Sequence, residues 1–240
     1  MRVRKLASLI PLALALAAGP ALPQESINKV MGGITAKAGQ QYGSLESVNG
    51  GITIREGALV RQANTVNGGI RIHSRARLGH AETVNGGITL GDVASAKSLQ
   101  AVNGGITLGA GSLVEQDVTT VNGGIKGAQG TRVRGDATTV NGALRFTGSL
   151  IGGDMVTSNG DIVLDGSTVR GGIRVEKPSM GWFNTGNKRK PRIVIGAQSV
   201  VMGPLVFERE VELFVHASAR IGPVTGATAQ AFTDTLPERD

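Results

Sequence analysis

The sequence predicts an all-β protein, a single-stranded parallel β-helix solenoid with coils of about 18 residues. Three observations predict it. A short unit, Val48-Asn49-Gly50-Gly51-Ile52, returns at near-constant intervals. Apolar and polar positions alternate after it. The apolar residues are small and aliphatic. The 240 residues hold 37 glycines, no cysteine, and only five Phe, one Trp and one Tyr. So few aromatics argue against a compact α/β enzyme core. The missing cysteines exclude disulfides, thiolate metal sites and a cysteine nucleophile.

The chain opens with an address. Arg2, Arg4 and Lys5 precede an apolar run from Leu6 to Ala18, followed by Gly19, Pro20 and Ala21. This is the three-part pattern of a signal peptide, here residues 1–21. The run is interrupted by Pro11 and is shorter than the roughly 20 residues a membrane span needs. The net charge of +7 falls to +4 once those three cations are removed. No second long apolar run follows, so the mature chain is expected to lack a transmembrane segment. It is expected in the periplasm, at the cell surface or outside the cell.

The repeat governs everything from Val30 to Ile162. Val30-Met31-Gly32-Gly33-Ile34 opens it. Copies begin at Val48, Val66, Val84, Val102, Val121 and Val140, and a decayed one at Ser158; the intervals are 18, 18, 18, 18, 19, 19 and 18. Four positions on stand Ile34, Ile52, Ile70, Ile88, Ile106, Ile125, Leu144 and Ile162. Two further stand Ile54, Ile72, Leu90, Leu108, Phe146 and Leu164, with Ala36 and Gly127 as weak members. Thr53, Arg71, Thr89, Thr107, Lys126 and Arg145 lie between. Alternation with period two is the strand signal. One coil cannot bury its apolar face alone, so stacking must supply the core.

Two features of the corner have physical readings. Gly-Gly allows positive φ and close approach of stacked backbones. Asn49, Asn67, Asn85, Asn103, Asn122, Asn141 and Asn159 form one column, expected to hydrogen-bond along the stack as a structural ladder. The alternative is a row of ligand-binding amides.

Periodicity stops after Val175. The stretch 177–191 reads as a loop thrown out from one coil, and holds Trp182, Phe183, Lys188, Arg189 and Lys190. Aromatic and basic residues on a loop over a rigid scaffold make a candidate binding site; the competing reading is a solvated excursion whose Trp covers an open flank. The solenoid is expected to span residues 22–226, with Glu208-Arg209-Glu210 and Glu212 protecting its end. Residues 227–240 read as a polar tail.

The repeated V-x-G-x-I unit after a leader resembles two bacterial families. One is an adhesin-repeat family of exported proteins. The other is the bactofilins, polymer-forming right-handed β-helices. The resemblance covers about Val30 to Val175, with a looser echo from Ile193 to Val224, and implies a right-handed β-helix without catalytic residues. Bactofilins are generally cytoplasmic or membrane-associated, and the 177–191 loop interrupts a regular stack. The adhesin-like reading is therefore preferred.

The functional expectation is an exported, non-catalytic solenoid with a structural or adhesive role in the cell envelope or at the cell surface. No cofactor or metal is expected. Partners would be an envelope glycan or anionic surface, met by a loose basic stripe of Arg71, Lys126, Arg145 and Arg174, or a second copy stacked end to end. Nucleic acid is not expected. Alternatives are a bactofilin-like self-assembling scaffold and a polysaccharide-active enzyme. The latter would use Asp154, Asp161 and Asp165, if they converge. Ile195 to Val200 fits one acyltransferase-type hexapeptide, and His73, His80 and His216 lack obvious partners.

Overall fold

The computed structural model describes residues 25–177 and 189–233. These residues form two parallel sheets and no helix. One sheet has eleven strands, one per coil, from Ile34–Ala36 to Ala229–Phe232. The other has seventeen. The chain is thus a β-solenoid of about eleven turns, some 18 residues apart. At about 4.8 Å per strand, eleven stacked strands span about 48 Å.

The register follows the aliphatic columns. Ile34 pairs with Ile52, Ile52 with Ile70, Ile70 with Ile88, and the series continues through Ile106, Ile125, Leu144, Ile162 and Ile193 to Leu213. All ten are essentially buried. Each contributes about 1.5–3 kcal/mol through burial. The second column carries one size change. Phe146 is the largest fully buried side chain, and a Cβ on Gly127, one coil below, would strike its ring. Gly127 is therefore the vacancy that Phe146 fills, so two departures from the pattern compensate each other.

The seventeen-stranded sheet changes character midway. Its early strands are long, as in Gln41–Asn49, Leu59–Asn67, Arg77–Asn85 and Ser95–Asn103, where the sequence pattern suggests strands of three to five residues. From Leu113 onward each is split in two, as in Leu113–Val114 and Val118–Thr120. The register locates the cause. Ser95 pairs with Leu113, 18 residues on, but Leu99 pairs with Val118, 19 residues on. One extra residue thus enters among Glu115, Gln116 and Asp117, and later coils keep it. The coils return to 18 because the turn after the short strand loses a residue: Gly127 to Val133 shortens to Phe146 to Ile151.

An aspartate accompanies the added residue. Asp117 Oδ1 accepts the amide of Asp136 at 2.9 Å, Asp136 that of Asp154 at 2.7 Å, and Asp154 that of Gly172 at 2.7 Å. Each carboxylate satisfies a backbone donor that the wider corner leaves without a ladder partner.

Two boundaries differ from the sequence reading. The strand Ala229–Phe232 pairs with Glu212–His216, so the solenoid continues into the presumed polar tail. The charged run 208–212 therefore lies one coil inside the end. Its Glu212 pairs with Arg192 in the eleven-stranded sheet. The expected leader, 1–21, lies outside the described residues. Among the described residues no helix is long and apolar enough to cross a membrane.

Candidate functional site

The asparagine column is a continuous hydrogen-bonded ladder. Asn67 Nδ2 donates to Asn49 Oδ1, Asn85 to Asn67, Asn103 to Asn85, Asn122 to Asn103 and Asn141 to Asn122, each at 2.9 Å; Asn159 donates to Asn141 at 2.8 Å. Every amide points the same way, so the dipoles add. The column begins beside Met31, which pairs with Asn49. It ends at the carbonyl oxygen of Asn159, which accepts from the Arg209 guanidinium at 2.5 Å. Each of the five inner amides, Asn67 to Asn141, thus spends a donor and an acceptor within the column.

The adjoining glycines need space more than they need unusual torsions. Of the eight motif copies, only Gly32 has positive φ among the paired glycines. The expectation of positive φ is corrected accordingly: close stacking is the constraint. A Cβ on Gly50, Gly68, Gly86, Gly104, Gly123, Gly142 or Gly160 would overlap the carbonyl of the first glycine one coil below. The second glycine is looser: a Cβ on Gly105 would sit 3.1 Å from the Gly124 oxygen. The chain uses that latitude, placing Ala143 and Asp161 in the second column while keeping Gly142 and Gly160 in the first.

A hydroxyl column beside the motif escapes the apolar pattern. Thr65, Thr83, Thr120 and Thr139 are buried, and each donates at 2.8 Å to the first motif glycine of the coil below, Gly50, Gly68, Gly104 and Gly123. Ser47 reaches Gly32 at 3.3 Å. The signal was present as Thr preceding Val in the repeat. By contrast the motif valines face outward: Val30 is 69 % exposed and Val48 and Val66 each 42 %. With Asn28, Glu46, Asn64 and Glu82 they line a shallow groove of about 490 Å³ on the first coils.

Of the 177–191 loop, the described residues are Lys177, whose amide donates to Glu208 at 3.3 Å, and 189–191. Trp182, Phe183 and Lys188 lie outside the described residues. Arg189 pairs with Asp161 at 2.6 Å, and Asp161 also accepts the Arg192 amide at 2.9 Å. Lys190 pairs with Glu210 at 2.9 Å. That contact raises the Lys190 pKa above its ordinary value and lowers that of Glu210, chiefly through the shared hydrogen bond. Arg209 bonds the carbonyls of Ser158 and Arg189 as well as Asn159. Arg189 and Lys190 are thus engaged in clamping the loop base to the eighth motif copy and the coil above.

The carboxylates considered for catalysis do not converge. Asp154 sits at the widened corner on the Gly172 amide. Asp161 holds the loop base at the corner preceding strand Ile162–Asp165. Asp165 ends that strand, opposite Thr147. His80 contacts Ser98 Oγ at 2.7 Å, and His216 contacts Ser218 Oγ at 2.8 Å and the Thr233 carbonyl at 2.6 Å. His73 lies in the turn after Ile70–Ile72, His80 on strand Arg77–Asn85 and His216 on strand Glu212–His216. Among the described residues no three His, Cys, Asp or Glu side chains could hold a metal ion. In the hexapeptide-like stretch, Gln198 occupies a turn at φ 56° and Ser199 is buried.

The expected basic stripe is broken. Lys126 pairs with Arg145, but Arg71 stands between Thr53 and Thr89. Arg174 belongs to the other sheet, between Val156 and Val206.

Comparison with protein-family models, with curated proteins and with solved structures finds no match. The parallel solenoid itself is compatible with β-helix families.

Proposed function

We propose that the chain is an exported, non-catalytic rod that displays binding surfaces in the envelope or at the cell surface, as its resemblance to adhesin repeats suggests. The observation carrying this reading is where the chain spends its polar groups. The Asn ladder, the Thr column and the corner aspartates bond along the stack and stiffen it. The three candidate carboxylates are held apart on separate corners, which favours display over acid–base chemistry.

A fusion of the whole chain to a reporter active only outside the cytoplasm tests export. Activity that disappears on deleting residues 1–21 is expected; activity unaffected by the deletion, or absent from both, overturns it. Incubation with acidic polysaccharides tests catalysis: release of reducing or unsaturated ends would overturn the non-catalytic reading.

A second reading has one observation in its favour. Ile34–Ala36 and Ala229–Phe232 are the two edge strands of the eleven-stranded sheet, and each carries one unpaired edge that a second copy could extend. Against it, at the C-terminal end the other sheet closes on strands of only two residues, Arg220–Ile221 and Val224–Thr225, with Pro223 between them, although its opposite edge is the seven-residue strand Glu25–Met31. Short edges and proline blunt such stacking.

A further inference from the structure

Beside the widened corner, a second column emerges that no residue pattern announces. Val60, Leu78, Ala96, Val114, Val133, Ile151 and Val169 pair in series and are buried. The residues that follow them are Arg61, Gly79, Lys97, Glu115, Arg134, Gly152 and Arg170. Cations therefore recur at every second coil: Arg61, Lys97, Arg134, Arg170. The interval is about 9.6 Å, two strand spacings.

Packing enforces the first and third gaps, and Glu115 occupies the middle one, dividing the row into two pairs of cations. A Cβ on Gly79 would overlap the Arg61 carbonyl, and one on Gly152 the Arg134 carbonyl. Each glycine leaves a cleft between two cations. The first, about 360 Å³, is lined by Arg61, Arg77 and Lys97 over Leu59 and Leu78, with one carboxylate, Glu115, at its border. The second, about 560 Å³, is lined by Arg132, Arg134 and Arg170 over Leu113 and Leu150. All six cations are exposed, and none has an ion pair or side-chain hydrogen bond among the described residues. This contrasts with Arg189, Lys190 and Arg209, which are all engaged. At about 9.6 Å the row's own repulsion is largely screened, since the Debye length is about 8–10 Å.

We infer that this row binds a linear anionic polysaccharide laid along the rod axis, with its carboxylate or sulfate groups on the cations and its ring faces on the leucines of the cleft floors. The inference gives the display reading a ligand class and a site, and rests on it. A thread fits a single line of cations in clefts better than a membrane plane does. Duplex nucleic acid carries a charge about every 1.7 Å, far denser than this row. None of the residues lining the clefts is an exposed aromatic that could stack single-stranded bases.

The test is titration calorimetry of the full chain with polygalacturonate and with heparin, beside phosphatidylglycerol vesicles and duplex DNA. Arg134→Glu/Arg170→Glu should weaken polysaccharide binding by about tenfold or more, since two charge-assisted contacts are lost. The control pair Lys126→Glu/Arg145→Glu, on the other sheet, should leave it within about twofold. Both pairs are exposed, and circular dichroism checks that they stay folded. Polysaccharide binding that both pairs weaken equally, or neither weakens, overturns the site but leaves the display reading standing. Tighter binding to vesicles or DNA overturns the ligand class. Failure of the intact chain to bind either polysaccharide overturns the site and removes the glycan-binding form of the display reading.

Discussion

Arg209 closes the asparagine ladder: its guanidinium donates to Asn159 Oδ1 at 2.5 Å, at the carbonyl end of seven aligned amides. A cation at the negative end of a hydrogen-bonded row is favourable for the same reason it is at a helix C-terminus. The same guanidinium bonds the Ser158 and Arg189 carbonyls, so the ladder's end and the loop's base share one residue.

The ladder's polarity makes two aspartate substitutions unequal. Asn103→Asp removes a donor and sets a carboxylate against Asn85 Oδ1, an oxygen. Urea denaturation should show a loss of about 1–3 kcal/mol. Asn159→Asp also loses a donor, but its carboxylate faces Arg209 and gains a charge-assisted bond. It should cost clearly less. Equal losses would mean that the amide orientation carries no energy.

The two motif glycines should respond differently to one methyl group. Gly104→Ala places its Cβ on the Gly86 carbonyl and should cost about 3 kcal/mol, at the upper end of overpacking. Gly105→Ala meets only the Gly124 oxygen at 3.1 Å, in a column where Ala143 already stands. It should cost under about 1 kcal/mol. Urea midpoints of the two variants decide the matter.

Val93 should be improvable. It sits at φ 56°, in the turn column otherwise held by Gly39, Gly57, Gly111, Gly130, Gly148 and Gly166, with Arg75 and Gln198 as the other exceptions. A left-handed torsion costs an ordinary residue about 1–2 kcal/mol, and a β-branched one is a poor occupant. Glycine brings an entropic cost of about 0.5–1 kcal/mol. Val93→Gly should therefore raise the urea midpoint, and by more than Arg75→Gly. A fall would show that the side chain, 66 % exposed, makes contacts worth more than the torsion.

The Lys190–Glu210 pair should be visible by titration and almost invisible in stability. The lowered Glu210 pKa means that its contribution exists above the ordinary carboxyl range and is lost as pH falls through the lowered value. The raised Lys190 pKa means that its contribution exists below the ordinary lysine range and is lost as pH rises through the raised value. Both groups are exposed, so water screens the pair. In NMR titration, Lys190→Ala should return Glu210 to an ordinary carboxyl pKa while the melting temperature stays put. A substantial drop in melting temperature would show that the loop base needs this contact.

The aliphatic columns, the coil length and the asparagine column were legible because each position recurs in nearly every coil. The direction of the motif valines was not. Val48 is as apolar as Ile52, and only the register shows that Ser47 faces the core beside it. The aspartate corner was hidden because an 18-to-19 change marks an insertion without locating it. The cation row was hidden for a different reason: its cations occupy alternate coils, so a column read at 18 residues shows Arg61, Gly79, Lys97 and Glu115 with no common chemistry. Period doubling becomes visible only when the coils are stacked. The loop site could be read only at its base, where Arg189 and Lys190 turned out to be clamps.

Sedimentation velocity of the purified chain over a concentration series tests the central claim, a self-contained display rod. The account predicts one elongated monomeric species at every concentration. Growth into longer assemblies with rising concentration would contradict it and make the solenoid ends, rather than its flanks, the functional surfaces.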